Sequence, residues 1–160
     1  MQRHSALPDA RRDQRRVDVR TWFVDASVAV KWLVLEDLSD LARELSGTRS
    51  NLVAPRLIVT EIANALVRKM MQGMLTAHEA RHHFAGLSVF PPDLIDVDDL
   101  IEPALKNACA LRHPIYDLIH LEVARRLDVQ LVTADRRFAA KLAGTDFARH
   151  VTLLSDWQST

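Results

Sequence analysis

The chain predicts an α/β domain with a mostly parallel central sheet, and three observations carry that prediction. Short apolar runs bounded by turn residues alternate with longer stretches of helical apolar spacing, the arrangement expected of successive strand–helix units. Those runs, such as TWFV and QLVTA, are mostly apolar rather than alternating, as in strands covered on both faces. A 48% hydrophobic composition over 160 residues supplies enough apolar surface for one ordinary core.

In chain order, Thr21 to Val24 reads as a buried strand with Asp25 and Ser27 at its exit, followed by a helix from about Val28 to Leu35. A second helix is expected over Leu38 to Leu45, closed by Gly47, a residue that readily adopts the left-handed conformation at helix ends. NLVAP forms a short strand ended by Pro55. Ile58, Ile62, Ala65, Leu66 and Met70 then give a helix from Leu57 to about Met71, closed by Gly73. Thr76 followed by Glu79 has capping-box spacing and starts a helix through Leu87.

Pro91 and Pro92 break the chain before a strand over DLIDV, after which Asp98 or Asp99 caps a helix reaching Leu111. His113-Pro114 turns the chain into an amphipathic helix from Tyr116 to Leu127. QLVTA is a buried strand, Arg136 to Leu142 a short helix and VTLL a last strand. Residues 21–157 are expected to form a single domain. Residues 1–20, with Arg11, Arg12, Arg15, Arg16 and Arg20, read as a mobile basic tail without the apolar stretch of a secretory signal.

Composition narrows the function. With 21 basic and 21 acidic residues the formal charge is zero, so the chain is not a nucleic-acid binder of the grossly basic kind. No run approaches membrane-spanning length. The single cysteine, Cys109, forms no internal disulfide, fits a reducing cytoplasm and is expected as a buried helical thiol.

Four acids sit beside apolar runs: Asp25, Glu61, Asp117 and Asp135. Solvated charge is out of place there, because burying an unpaired carboxylate costs more than ordinary contacts return. Asp25 and Asp135 follow parallel strands and should project from the same sheet edge, where ligands of open α/β sheets gather. Asp117 falls in the first turn of its helix, which favours an ionised carboxylate. Glu61 shares a helix face with Leu57, Asn64, Ala65 and Arg68. Brought together, four carboxylates would raise one another's pKa unless a cation intervened, and an all-oxygen donor set suits Mg²⁺ or Mn²⁺ rather than Zn²⁺. Each acid also has a plainer role: Asp25 or Asp135 as helix caps, Asp117 as a first-turn charge, Glu61 paired with Arg68. Ser27, Asn64 and Thr133 support an acid or a water, or satisfy local backbone; His120 reads as a core-edge histidine rather than a ligand. Arg68, Arg136 and Arg137 either draw a phosphate backbone inward or are solvated charges.

FVDASVAVKWLVLED, APRLIVTEIANALVRKM, IYDLIHLEVARRL and QLVTADRRF, in this order and spacing, resemble the PIN-domain nucleases and, more narrowly, the VapC-type toxins of toxin–antitoxin pairs. The resemblance implies a three-layer α/β/α sandwich and an endoribonuclease dependent on Mg²⁺ or Mn²⁺. It also implies a cognate VapB-type antitoxin and, as in many relatives, a homodimer. It makes Asp25, Glu61, Asp117 and Asp135 the acidic quartet, with Ser27, Asn64 and Thr133 as supporting groups. Two departures stand out: the Arg-containing segment before the first strand, and His113-Pro114-Ile115 where small polar residues are usual. A receiver-type signalling domain is disfavoured because Asp25 has no acidic neighbour and no Lys follows VTLL. A haloacid-dehalogenase phosphatase would carry a second Asp where Ser27 stands. A catalytically silent PIN-like scaffold remains as the alternative.

Overall fold

The computed structural model describes residues 20–47, 51–90 and 92–158, so the expected tail lies outside the described residues except for Arg20. Five parallel strands form the sheet: β1 (Thr21–Val24), β2 (Asn51–Pro55), β3 (Asp93–Ile95), β4 (Gln130–Thr133) and β5 (Val151–Leu153), in the order β3-β2-β1-β4-β5. In the central strand β1, Phe23 is in register with Val53 on one side and Leu131 on the other.

Strand side chains alternate between faces, and the core divides accordingly. Trp22, Val24, Ala54 and Val132 pack with α1 (Ala26–Leu33), α2 (Ser39–Gly47) and α3 (Ile58–Met71). Phe23 and Leu131 pack on the opposite face with α5 (Ile101–Leu111), α6 (Ile115–Leu127) and α7 (Arg136–Leu142). The result is an α/β/α sandwich. Ile58, Ile62 and Leu66, at four-residue spacing, are buried and fix which face of α3 meets the core.

Local chemistry explains where the elements depart from expectation. Helix α1 begins at Ala26 rather than Val28, because the Asp25 side chain already accepts from the Ser27 and Val28 amides, and it ends two residues early, leaving Leu35 exposed. The capping box of α4 (Ala77–Ala85) forms as expected, but the last turn tightens into a 3₁₀ segment over Gly86–Val89 instead of continuing as α-helix to Leu87. Pro91 lies outside the described residues; β3 follows Pro92 directly and stops at Ile95. Neither Asp98 nor Asp99 caps α5 with its side chain; they form a 3₁₀ turn, and Asp99 instead pairs with Arg126 on α6. Cys109 is helical but exposed, correcting the expected buried thiol: Ala104 and Ala108 take the buried stripe, and position 109 lies about 100° further round the helix.

Candidate active site

β1 is the point where the strand order reverses, with β2 on one side and β4 on the other. A crevice forms outside the carboxyl ends of strands at such a point, since the following connections leave toward opposite faces. Asp25 leaves β1 and Asp135 follows β4 by two residues, so these adjacent strands deliver both acids to the crevice. The first turn of α6 brings Asp117 from one face of the sheet, and α3 brings Glu61 from the other. All four line one cleft of about 850 Å³, together with Ser27, Asn64 and Arg68.

Beneath the cleft floor the two strand exits are tied to each other. The Ser27 hydroxyl bonds Asp25 Oδ1 at 2.5 Å and accepts the Ala134 amide at 2.8 Å. Thr133, fully buried, lies 3.3 Å from the same hydroxyl and accepts the Asp135 amide at 3.0 Å. These bonds couple the position of one acid to that of the other.

Each carboxylate is also held by a donor of its own. Asp25 Oδ1 accepts the Ser27 and Val28 amides at 2.9 and 3.2 Å, and Asp135 Oδ1 accepts the Arg137 and Phe138 amides at 2.8 and 3.0 Å. Both are therefore helix caps, and the plainer reading of each holds alongside membership of the cleft. Asp117 Oδ2 lies 2.6 Å from His113 Nε2, whose ring stacks on Phe138. Glu61 Oε2 lies 2.8 Å from Nε2 of His120, so the expected alternative of a Glu61–Arg68 pair is replaced by a histidine contact. In Glu61, Asp117 and Asp135 these bonds occupy one oxygen, and the second has no hydrogen bond to protein among the described residues.

Burial dominates the electrostatics of Asp25 and Asp117, and the crowding of the aspartates adds to it. Burial pushes the Asp25 carboxyl above its ordinary value and the nearby Asp117 adds to this, while His120 and the Ser27 and Thr133 hydroxyls oppose it. Burial likewise raises Asp117, with Asp135 adding and the two histidines opposing. Asp117 thus feels both other aspartates.

Arg136 and Arg137 are exposed and outside the cleft lining, whereas Arg68 lines it. His120, expected as a core-edge histidine, is fully buried and bonds Glu61, while His113, expected only to turn the chain before α6, bonds Asp117 from just outside that helix. The sequence reading passed over Lys31, Glu36 and Lys69 at the cleft wall, where both ammonium groups bond the one carboxylate. An all-oxygen donor set fits a hard divalent cation such as Mg²⁺ or Mn²⁺ in its chemistry. In the present rotamers, however, no three carboxylate, histidine or cysteine side chains among the described residues are grouped closely enough to hold an ion.

Comparison with known proteins agrees with this architecture. Residues 22–142 match the PIN domain family model. Ribonuclease VapC1 of Mycobacterium tuberculosis, in the CDC 1551 / Oshkosh and H37Rv strains, is 33% identical over 122 residues, covering 73% of this chain and 87% of the relative. The crystal structure of PAE2754 from Pyrobaculum aerophilum superimposes with a TM-score of 0.62 at 21% identity, over 86% of this chain and 85% of that one. Mycobacterium tuberculosis VapC20, described as a Sarcin-Ricin loop cleaving toxin, gives 0.58 at 21% identity, over 78% and 95%; at such identities the likeness speaks for the fold. The chain belongs to the PIN-domain family and, within it, to the VapC type.

Proposed function

We propose that the protein is a VapC-type toxin, an endoribonuclease that hydrolyses RNA phosphodiester bonds with Mg²⁺ or Mn²⁺ and is inhibited by a VapB-type antitoxin. The observation that carries this reading is the meeting of Asp25, Glu61, Asp117 and Asp135 in one cleft, in a chain related to Ribonuclease VapC1. Asp25, Asp117 and Asp135 would hold the ion directly or through water, with Glu61 as a further ligand. The bound cation supplies charge neutralisation at the phosphate and a more acidic water.

The chain's own residues do the rest. Glu61, on the α3 wall, orients the attacking water and is placed to take its proton. Arg68, in the lining, offsets the acidic pocket and meets the RNA backbone. Attack by water, without the RNA 2′-hydroxyl, leaves a 5′-phosphate and a 3′-hydroxyl. The antitoxin would place an Arg or Lys side chain among the four acids, satisfying by charge what the cation otherwise satisfies. A homodimer in the cytoplasm completes the proposal.

Asp25→Asn and Asp117→Asn keep side-chain shape and remove charge. Each should reduce Mn²⁺-dependent cleavage of a labelled RNA panel by more than the roughly 10–100-fold that loss of a supporting group costs, with the circular dichroism of the fold unchanged. A folded double variant that still cleaves would overturn the assignment. The one observation that favours a silent scaffold is the lack, among the described residues, of three ligating side chains grouped as they stand. A wild-type protein that binds RNA but never cleaves it with either cation would decide for the scaffold.

A further inference from the structure

The four acids are not held equally. Asp25 and Asp135 are each fixed by two backbone amides that belong to the helices they cap. Asp117 has a local partner four residues back in His113. Glu61 is the longest of the four and stands within α3, where the backbone amides serve the helix itself. Its one side-chain hydrogen bond among the described residues comes from His120, on α6, 59 residues away in sequence.

His120 is built to be immobile. It is fully buried, and its ring meets the Phe23 ring edge-on with centroids 5.9 Å apart. Nδ1 is buried and without a partner. A carboxylate oxygen only accepts, so Nε2 carries the hydrogen between the two side chains. Ring rotation that broke the Glu61 contact would leave both nitrogens unpaired in the interior, a costly state.

We infer that His120 is a positioning residue: by donating from Nε2 to Glu61 Oε2 it fixes the Glu61 rotamer and turns Oε1 toward the cleft. The inference rests on the nuclease reading for its consequence in catalysis, while the contact itself does not depend on that reading. A fixed Glu61 contributes at the chemical step and to cation binding, not to capture of the RNA backbone, which lies with Arg68. His120 therefore acts on kcat and metal affinity and leaves KM alone.

Three substitutions separate positioning from packing. Gln carries its amide nitrogen about as far from the backbone as Nε2, Asn carries its own only as far as Nδ1, and Phe fills the space without a donor. His120→Phe and His120→Asn should lower kcat by roughly 10–100-fold, the usual cost of losing an orienting partner. KM should stay unchanged, and Mn²⁺ affinity measured by electron paramagnetic resonance without RNA should weaken. His120→Gln should recover most of both. Thermal melts establish that the compared variants are folded, and should Phe fail to fold, the Gln–Asn pair still decides. Folded variants that all match the wild type, or that all fall together, would overturn the inference. An activity-independent readout is the exchange-protected Nε2 proton of His120 in ¹⁵N-resolved NMR of the full chain. It should be present in the wild type and lost in Glu61→Ala; a signal unchanged by that substitution would overturn the inference. If the wild type cleaves no RNA, the proposed function fails, and this NMR result still decides the contact.

Discussion

Asp25 does two things that pull in opposite directions. Its Oδ1 caps α1 through two backbone amides, which stabilises the fold, while its negative charge sits in an almost fully buried position beside Asp117. Because the folded-state pKa is raised above 3.8, the folded protein binds the proton more tightly than the unfolded chain. That contribution to stability is complete below the ordinary carboxyl range and is lost as pH rises through the folded value. Asn caps about as well as Asp. Without divalent cations, Asp25→Asn should thus melt higher than wild type at pH 7, and the gap should close as pH falls toward 4. Asp25→Ala, which forfeits the cap, should be less stable than Asn by about 1 kcal/mol. An Asn variant that melts below wild type at neutral pH would contradict the burial account. Asp25 and Asp135 were legible in the sequence because a strand exit followed by a helix start is a local pattern. The His120–Glu61 contact was not, because its partners lie on helices from opposite faces of the sheet and only the fold joins them.

At the level of elements, α1 and α3 are joined by charge as well as by packing. Lys31 on α1 and Lys69 on α3 both bond Glu36 in the connection after α1. Burial alone would raise Glu36, but the two lysines outweigh it and hold its pKa below the ordinary 4.5. The stability this provides is present above 4.5 and is lost as pH falls through the lowered folded value. Glu36→Gln should lower the melting temperature at pH 7 and flatten its acid dependence; melts that coincide with wild type across pH 3–7 would sink the claim. Packing sets the larger share: Ile62 is fully buried under the sheet, and Ile62→Ala should cost about 2–5 kcal/mol in denaturant titration. Helices and strands were legible wherever apolar spacing was regular, as in α3 and α7. Element ends were less so, since the early start of α1 depends on which nearby amides the Asp25 side chain takes, and the uncapped entry to α5 on a side chain committed to a distant partner. Asp99 illustrates this: it reads as a cap in sequence and is committed to Arg126 in space.

For the molecule as a whole, a net charge of zero conceals an uneven distribution. Four acids gather at the switch point of a parallel sheet, with Arg68, Lys31 and Lys69 along the same cleft. That arrangement follows from topology: putting β1 at the centre of the sheet, next to β4, carries Asp25 and Asp135 to one edge regardless of the residues between them. Burial at that edge pushes the Asp25 and Asp117 carboxyl groups upward, and the neighbouring aspartates add to it, a conflict that a divalent cation would relieve. The account therefore stands or falls on where a cation goes. Crystals soaked in Mn²⁺ and measured at its absorption edge should show an anomalous peak in the cleft between Asp25, Glu61, Asp117 and Asp135, abolished in Asp117→Asn. A cleft without a peak at saturating Mn²⁺, or a peak that survives in that variant, would contradict it.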